Sequence, residues 1–563
     1  PYKSIRIPAA AEFRATVTNE SGTPMPAKIT LVGNYTVSKA CRRCKDSPND
    51  VGGPKRDYDC ISVCDPRNYL FQFSIGESRL HTDLNWFQQQ DGEYAEEVVY
   101  SHDGLFHAKV RPGTYDVYIS RGIEYDLELQ EGVKFEAGRK TFVEAVLKKT
   151  VETNHYISAD FHIHSEGSLD SSISMAKRVT AVAAEGLEVA VSTDHNFITN
   201  YQPEIAALGL HDWTTSMVGV EMSTLEMGHF NGFPMRYTLN SPSHFPYVDS
   251  CMSADVDKVN KTSMDWVRCN ADQLFEQMRF LGAYGPEQTI IQVNHPRDSI
   301  LGYFSEFNMG SYNPLVKTAG ELIRPVDHDS LQFEAENFSY DFDVIEVFNG
   351  KRLEAVHHFS LEEGLSEQNY ADKQTIHPLN GLNKALLDAS GEVEYPGVFE
   401  DWLNLLRKGF TYTATGNSDS HGLYQEVGYP RNYVYVEPDA RGQPRDVSPS
   451  QVHDLEMVRA LQKHQVMVTN GPYLRLQVMT KRDDEVGNYY WNVGDFVSFA
   501  ETTKKARVEL QVEIRLPNWI EVSELLIYAN GEILTDEDGS EIGRIDLSKE
   551  KDRTIFKKAL GRV

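Results

Sequence analysis

Five apolar runs in this 563-residue chain stop abruptly at histidine or a carboxylate. They are ISADFHIH, LEVAVSTDH, VGVE, TIIQVNHP and TYTATGNSDSH, and DVIEVFNG has the same form with Asn at its end. Between them lie helical stretches such as SISMAKRVTAVAAEG, which closes on Gly186. This β–α alternation predicts a parallel sheet closed into a barrel, with the functional residues gathered at the carboxyl ends of the strands.

The strand ends carry residues that suit metal ions. His162 and His164 stand two apart on a strand, so both imidazoles face the same side. Asp170 follows on the loop and is able to reach back to a second ion. The next runs deliver Asp194 with His195, Glu221 with nearby His229, His295, and Asp419 with His421. A glutamate at the end of an apolar run is badly placed unless it is paired or holds a cation, and its two oxygens suit it to bridge two ions. Glu226, between Glu221 and His229, competes for the same role. His162, His164, Asp170, His195, Glu221, His229, His295, Asp419 and His421 make nine candidate ligands, enough for two or three divalent ions. Mixed imidazole and carboxylate ligation suits Zn, Mn or Fe.

In order, these motifs resemble the PHP (polymerase and histidinol phosphatase) metallohydrolases. The flanking words STDHN, GHFNGFP, NHPR, EVFNG and GNSDSHG are similar to the carbaryl-hydrolase-type (CehA/McbA) branch. The resemblance covers about residues 151–475 and implies a distorted (β/α) barrel. It also implies three ion positions. His162, His164, Glu221 and Asp419 would hold the first; Glu221 would bridge to a second held by His229 and His295; Asp170, His195 and His421 would hold the third. Asp194 would orient or accept from a ligand imidazole.

Such a site is expected to act as a hydrolase, a metal-bridged hydroxide attacking an ester-type bond. A phosphoester of a small molecule is the first expectation. A carbamate, carboxylester or amide is the second, and a non-catalytic binding protein with a vestigial barrel is the third. Arg297, after NHP, is placed either to clamp an anion or to pair with a carboxylate such as Asp298. Asn349 and Lys351 follow the DVIEVF strand towards the same rim, and the insertion from about 236 to 270, with Tyr247 and Trp266, suits a lid.

The rest of the chain reads differently. Residues 1–150 alternate apolar and polar positions around turn signals at Ser21-Gly22, Pro112-Gly113 and Glu131-Gly132. VRPGTYDVYISRG there resembles carboxypeptidase regulatory-like β-sandwich modules. Residues 476–563 predict a second β-sandwich with a turn at Asn530-Gly531. The fold class is therefore α/β, a barrel flanked by two β-sandwiches. A formal charge of −28 argues against partners of long nucleic acid, whose phosphates need neutralising cations. No apolar run reaches the length of a membrane span. Cys41, Cys44, Cys60 and Cys64 cluster in a Gly-, Pro- and Asp-rich loop and suit two disulfides or a structural Zn site. The start at Pro1 and the β-rich N-terminal region point to a periplasmic or extracellular protein, with the cytoplasm as the alternative.

Overall fold

A computed structural model describes residues 9–35, 92–224, 227–239, 269–298, 301–307, 338–351, 356, 359–360, 386–387, 393–395, 397–423, 425–436, 448–481, 489–496, 507–536, 538–548 and 555–561. The four-cysteine cluster, Glu226, and most of the expected lid including Tyr247 and Trp266 lie outside the described residues. The chain divides into two compact units, 1–150 and 151–563, with the short segments 183–186 and 517–519 grouped with the first.

The first unit is all β. Its strands are β1 (Ala11–Asn19), β2 (Ala27–Tyr35), β3 (Gly92–Ser101), β4 (Leu105–Val110), β5 (Gly113–Ser120), β6 (Glu128–Phe135) and β7 (Lys140–Leu147). They form a three-stranded sheet, β4-β1-β7, and a four-stranded sheet, β3-β2-β5-β6. The period-2 pattern buries Phe13, Val17, Ile29, Leu31, Val117, Ile119 and Phe135. Gly22 takes a positive φ at the expected turn. Glu131-Gly132 is not a turn. Gly132, at φ 65°, makes a bulge within β6, where the pairing with β5 slips between Tyr115 and Val117. The Asp116 carboxylate accepts from the freed Gly132 N–H at 2.7 Å.

The second unit holds two mixed five-stranded sheets. Its elements begin with β8 (Tyr156–Ile163), α1 (Met175–Ala184), β9 (Val189–Ser192), α2 (Gln202–Ala207), β10 (Thr215–Val218), β11 (Val220–Ser223) and β12 (His229–Phe233). There follow α3 (Ala271–Phe280), β13 (Ile290–Val293), α4 (Tyr303–Glu306), β14 (Val344–Asn349) and the small sheet of β15 (Phe359–Ser360), β16 (Leu386–Leu387) and β17 (Val393–Tyr395). Then come α5 (Val398–Arg407), β18 (Thr413–Asn417), β19 (Arg431–Tyr435), α6 (Asp454–Gln462) and β20 (Val466–Thr469). The sheets run β10-β9-β8-β19-β20 and β11-β12-β13-β14-β18.

Neither sheet is the purely parallel one expected. The return from Ser223 to His229 is too short for a crossover helix, so β11 and β12 pair as an antiparallel hairpin. β19 likewise runs antiparallel to β8 and β20. The sheets are stitched where β8 and β18 end: His164 N–H donates to Ser420 O and Asp419 N–H to His162 O. A second stitch joins Asn196 N–H to Glu221 O and Glu221 N–H to Asp194 O.

Burial is asymmetric across β8. Ile157, Ala159 and Phe161 pack into an apolar core with Val189, Val191 and Val434. Ser158, Asp160 and His162 alternate with them and are equally buried. The apolar face holds the strand in place; the polar face carries the site.

The chain closes with β21 (Tyr473–Lys481), β22 (Tyr489–Asn492), β23 (Arg507–Arg515), β24 (Glu524–Leu526), β25 (Tyr528–Ala529), β26 (Glu532–Ile533), β27 (Arg544–Asp546) and β28 (Ile555–Gly561). Four of these make the sheet β22-β21-β23-β28. Asn530 and Gly531 both take positive φ in the two-residue turn joining β25 to β26, as that dipeptide predicts. Among the described residues no helix is long and apolar enough to cross a membrane.

Candidate metal centre

Strand ends from both sheets converge on Glu221. Its carboxylate is fully buried, and five imidazoles surround it. Oε1 lies 3.2 Å from His162 Nε2, 3.2 Å from His229 Nδ1 and 3.5 Å from His295 Nε2. Oε2 lies 2.7 Å from His195 Nδ1 and 3.5 Å from His164 Nε2. Asp419 Oδ1 approaches His164 Nε2 at 3.3 Å and His162 Nε2 at 3.6 Å. Asp170, half exposed, places Oδ2 3.0 Å from His421 Nε2 and 3.4 Å from His195 Nε2. All nine expected ligand residues therefore meet in one place.

The far sides of two imidazoles, His162 and His164, are held. His162 Nδ1 bonds Glu346 Oε1 at 2.9 Å, and the other Glu346 oxygen accepts from His295 N–H at 2.8 Å. His164 Nδ1 bonds Ser168 Oγ at 2.9 Å, and Ser168 in turn donates to Asp194 Oδ1 at 2.9 Å. Asp194 thus supports an imidazole through a hydroxyl rather than directly, and it also accepts from Ser165 and Thr199. With Nδ1 engaged, His162 and His164 present Nε2 to the centre. Those two Nε2 atoms, Glu221 Oε2 and His295 Nδ1 are buried without a hydrogen bond. Buried polar atoms without partners are costly, and divalent ions would satisfy the two Nε2 atoms and Oε2, while His295 Nδ1 faces Asp298 Oδ2 at 3.9 Å.

Charge leads the same way. Burial pulls the His162 imidazole down, but the Asp419, Glu346 and Glu221 carboxylates outweigh it and hold its pKa well above the ordinary value. Against burial, Glu221 and Asp170 lift His195 to about 10, and Glu221 and Asp298 raise His295. Burial and the His421 ring hold His164 well below its ordinary value; burial also lowers His229. Glu221 stays ionised despite burial because His195, His162 and His229 surround it, and Asp419 because of His162 and Lys351. The rings of His164 and His421 stack 3.8 Å apart, so protonating every ring would set like charges in contact. Divalent ions in place of those protons would balance the carboxylates of Glu221, Asp419, Asp170 and Glu346 without that repulsion. Among the described residues, four triads have ligand atoms close enough to share an ion: His164/His195/His421, His162/His164/Asp419, His162/Glu221/His295 and His195/Glu221/His229.

Several supporting residues were not among the expected ones. Glu346 is buried in DVIEVFNG, and the reasoning that selects Glu221 from VGVE selects it too. Beneath the ligands lies a layer of amides: Asn294 donates to Glu221 Oε1 at 2.9 Å and to Asn231 Oδ1 at 2.8 Å, and Asn417 donates to Glu346 Oε1 at 3.0 Å. Arg178 of α1, fully buried, donates from Nε to His164 O at 2.7 Å and from Nη2 to Ser420 O at 3.0 Å. Asp160 accepts from the His162 and Gly428 amides; burial still pushes its pKa up to about 6. Asn196, His295 and Asp419 all take positive φ at these strand ends, a strained backbone concentrated at the site.

Two expected substrate contacts face elsewhere. Arg297 forms a buried bidentate pair with Asp401, at 2.7 and 2.8 Å, so its fork is committed to a carboxylate of α5. Asn349 is buried and donates to Glu346 at 2.9 Å and Asp419 at 3.2 Å, orienting carboxylates rather than meeting solvent. Lys351 is a cation at the rim: Nζ lies 2.6 Å from His421 Nδ1 and 3.4 Å from Asp419 Oδ1, with its side chain 27% exposed.

No family model and no curated protein matches this chain. Solved structures do, among them a two-domain protein from Bacteroides vulgatus containing a predicted PHP-like metal-dependent phosphoesterase. It is 12% identical, covers 64% of this chain and 92% of its own, and has a TM-score of 0.27. At that score the likeness carries no argument about this chain.

Proposed function

We propose that residues 151–475 form a PHP-type metallohydrolase domain that cleaves a phosphoester of a small molecule. In this reading its two mixed sheets are the distorted barrel of that family, and 1–150 and 476–563 are β-sandwich domains. The observation that carries it is the convergence of nine candidate ligand residues, with His162 Nε2, His164 Nε2 and Glu221 Oε2 buried at their centre without hydrogen bonds.

His162, His164, Glu221 and Asp419 would hold one ion, Glu221, His229 and His295 a second, and Asp170, His195 and His421 a third. His164 stands close enough to His195 and His421 to serve this last position as well. When bound, such ions activate a water and polarise the electrophile. Glu346, Ser168 and the amide layer fix the imidazole tautomers and the carboxylate orientations. Lys351 supports an anionic substrate: with ions bound, an ammonium this close to Asp419 and His421 is best tolerated when substrate oxygens bring negative charge. Cys269 is disulfide-bonded, which supports an oxidising compartment.

The test pairs an aryl phosphomonoester with an aryl N-methylcarbamate, each with and without chelator. Chelator-sensitive release from the phosphomonoester is expected, abolished by His162→Ala and by His295→Ala while circular dichroism stays native. Lys351→Met should lower kcat/KM for the phosphate ester about tenfold or more. Release from the carbamate alone would place the enzyme with the acyl-cleaving branch; full activity in either histidine variant would overturn the metal centre.

A further inference from the structure

Tyr156 opens β8 at the end away from the metal ligands, about 20 Å from His162 by strand rise. There the second unit has a partly open cavity of about 170 Å³. His155, Tyr156 and Tyr435 line it, together with Arg475 of β21 and the amides of Gln477 and Asn492. None of these residues serves the metal centre.

Three observations make the cavity more than a packing gap. The first is Arg475. Among the described residues its guanidinium has no hydrogen bond and no ion pair. By contrast, Arg515 on neighbouring β23 pairs with Glu513 at 2.9 Å. A guanidinium carries five donors in a rigid fork that fits carboxylate and phosphate oxygens. The second is His155 Nδ1, which is buried with no hydrogen bond. Burial and then the Arg475 charge hold this imidazole below its ordinary pKa, so the ring is neutral and donates from one nitrogen. The third is backbone strain. His155 has φ 68°, a conformation that a side chain larger than glycine adopts at a cost. Its carbonyl is tied down by Val436 N–H at 2.7 Å, which holds the strained residue in place.

The walls limit what enters. Tyr156 and Tyr435 meet edge to face at 5.5 Å, and His155 stands 6.1 Å from Tyr435. Gln477 Nε2 donates to Asn492 Oδ1 at 2.9 Å, which fixes the remaining amide groups. The volume equals that of about five or six waters, which suits a small ion.

We propose that this cavity is a second ligand site, taking a small anion whose carboxylate or phosphate oxygens are gripped by Arg475 with His155 as a further donor. The site is independent of the reading of the metal centre.

Calorimetry on the full chain at fixed ionic strength tests it, with acetate, inorganic phosphate and neutral acetamide as probes. At least one anion should bind saturably at millimolar concentration or below, and acetamide should not. The anion that binds tells a carboxylate site from a phosphate site. Arg475→Met should weaken binding about tenfold or more. His162→Ala should leave it unchanged, which separates this site from phosphate held at the metal centre. His155→Gly relieves the positive φ, so it should raise Tm while weakening binding. Binding of neither anion to the wild-type protein would overturn the proposal. So would equal binding by the wild type and a folded Arg475→Met variant. Should Arg475→Met fail to fold, His155→Gly decides: unchanged affinity refutes the site.

Discussion

Glu346 shows what one buried carboxylate does here. It touches no candidate ion directly, yet it bonds His162 Nδ1 and the His295 amide together. Glu346→Gln keeps the volume and loses the charge that orients the His162 ring. Metal affinity, read by competition with a chromophoric chelator, should fall about 10- to 100-fold with the fold intact. At this scale most of the candidate ligands were legible because each is a polar residue at or near the end of an apolar run, where only pairing or a cation offsets its burial. Glu346 was legible by the same rule. Arg297 was not: an Arg after a ligand motif looks the same whether it meets substrate or Asp401, and only the packing of α5 against it distinguishes the two.

Among the elements, α1 acts as a clamp. It buries Val179, Val182 and Ala183 on its apolar face, and from the same helix Arg178 reaches the chain segments that follow β8 and β18. Arg178→Met would leave the His164 carbonyl unpaired and take one of two donors from the Ser420 carbonyl, which keeps the His164 N–H. It should cost about 2–4 kcal/mol in denaturant unfolding and lower metal content together with it. Just past α6 and Lys463, His464 has φ 59°, the left-handed position that favours Gly or Asn. Burial holds the His464 imidazole below its ordinary pKa. The unfolded chain therefore binds the proton first as pH falls. The stability that the neutral ring contributes is full above about pH 6.5 and is lost as pH drops towards the lower folded value. His464→Asn keeps the backbone conformation, so its plot of Tm against pH should be flatter than wild type between about pH 7 and 5.

For the whole molecule, ions that bind only the folded second unit add stability by mass action. At a free metal concentration about a thousandfold above Kd the gain is about 4 kcal/mol. Chelation should therefore lower Tm clearly, with recovery on adding back Zn, Mn or Fe, and the metal that restores most identifies the preferred ion. An unchanged Tm would count against a folded-state metal cluster. By itself the sequence determined that strands and helices would alternate, that nine particular polar residues would lie in or near the strands, and that the described part of residues 1–150 would be β. Hydrophobic period and the cost of a polar residue in an apolar run are local properties, readable along the chain. Only the tertiary structure decided strand direction, which depends on short returns such as Ser223 to His229. It also decided which nitrogen of each imidazole faces the centre, and that Arg297 is spent on Asp401 while Arg475 is left for another partner. Those outcomes depend on residues distant in sequence meeting in space, and no local pattern records that.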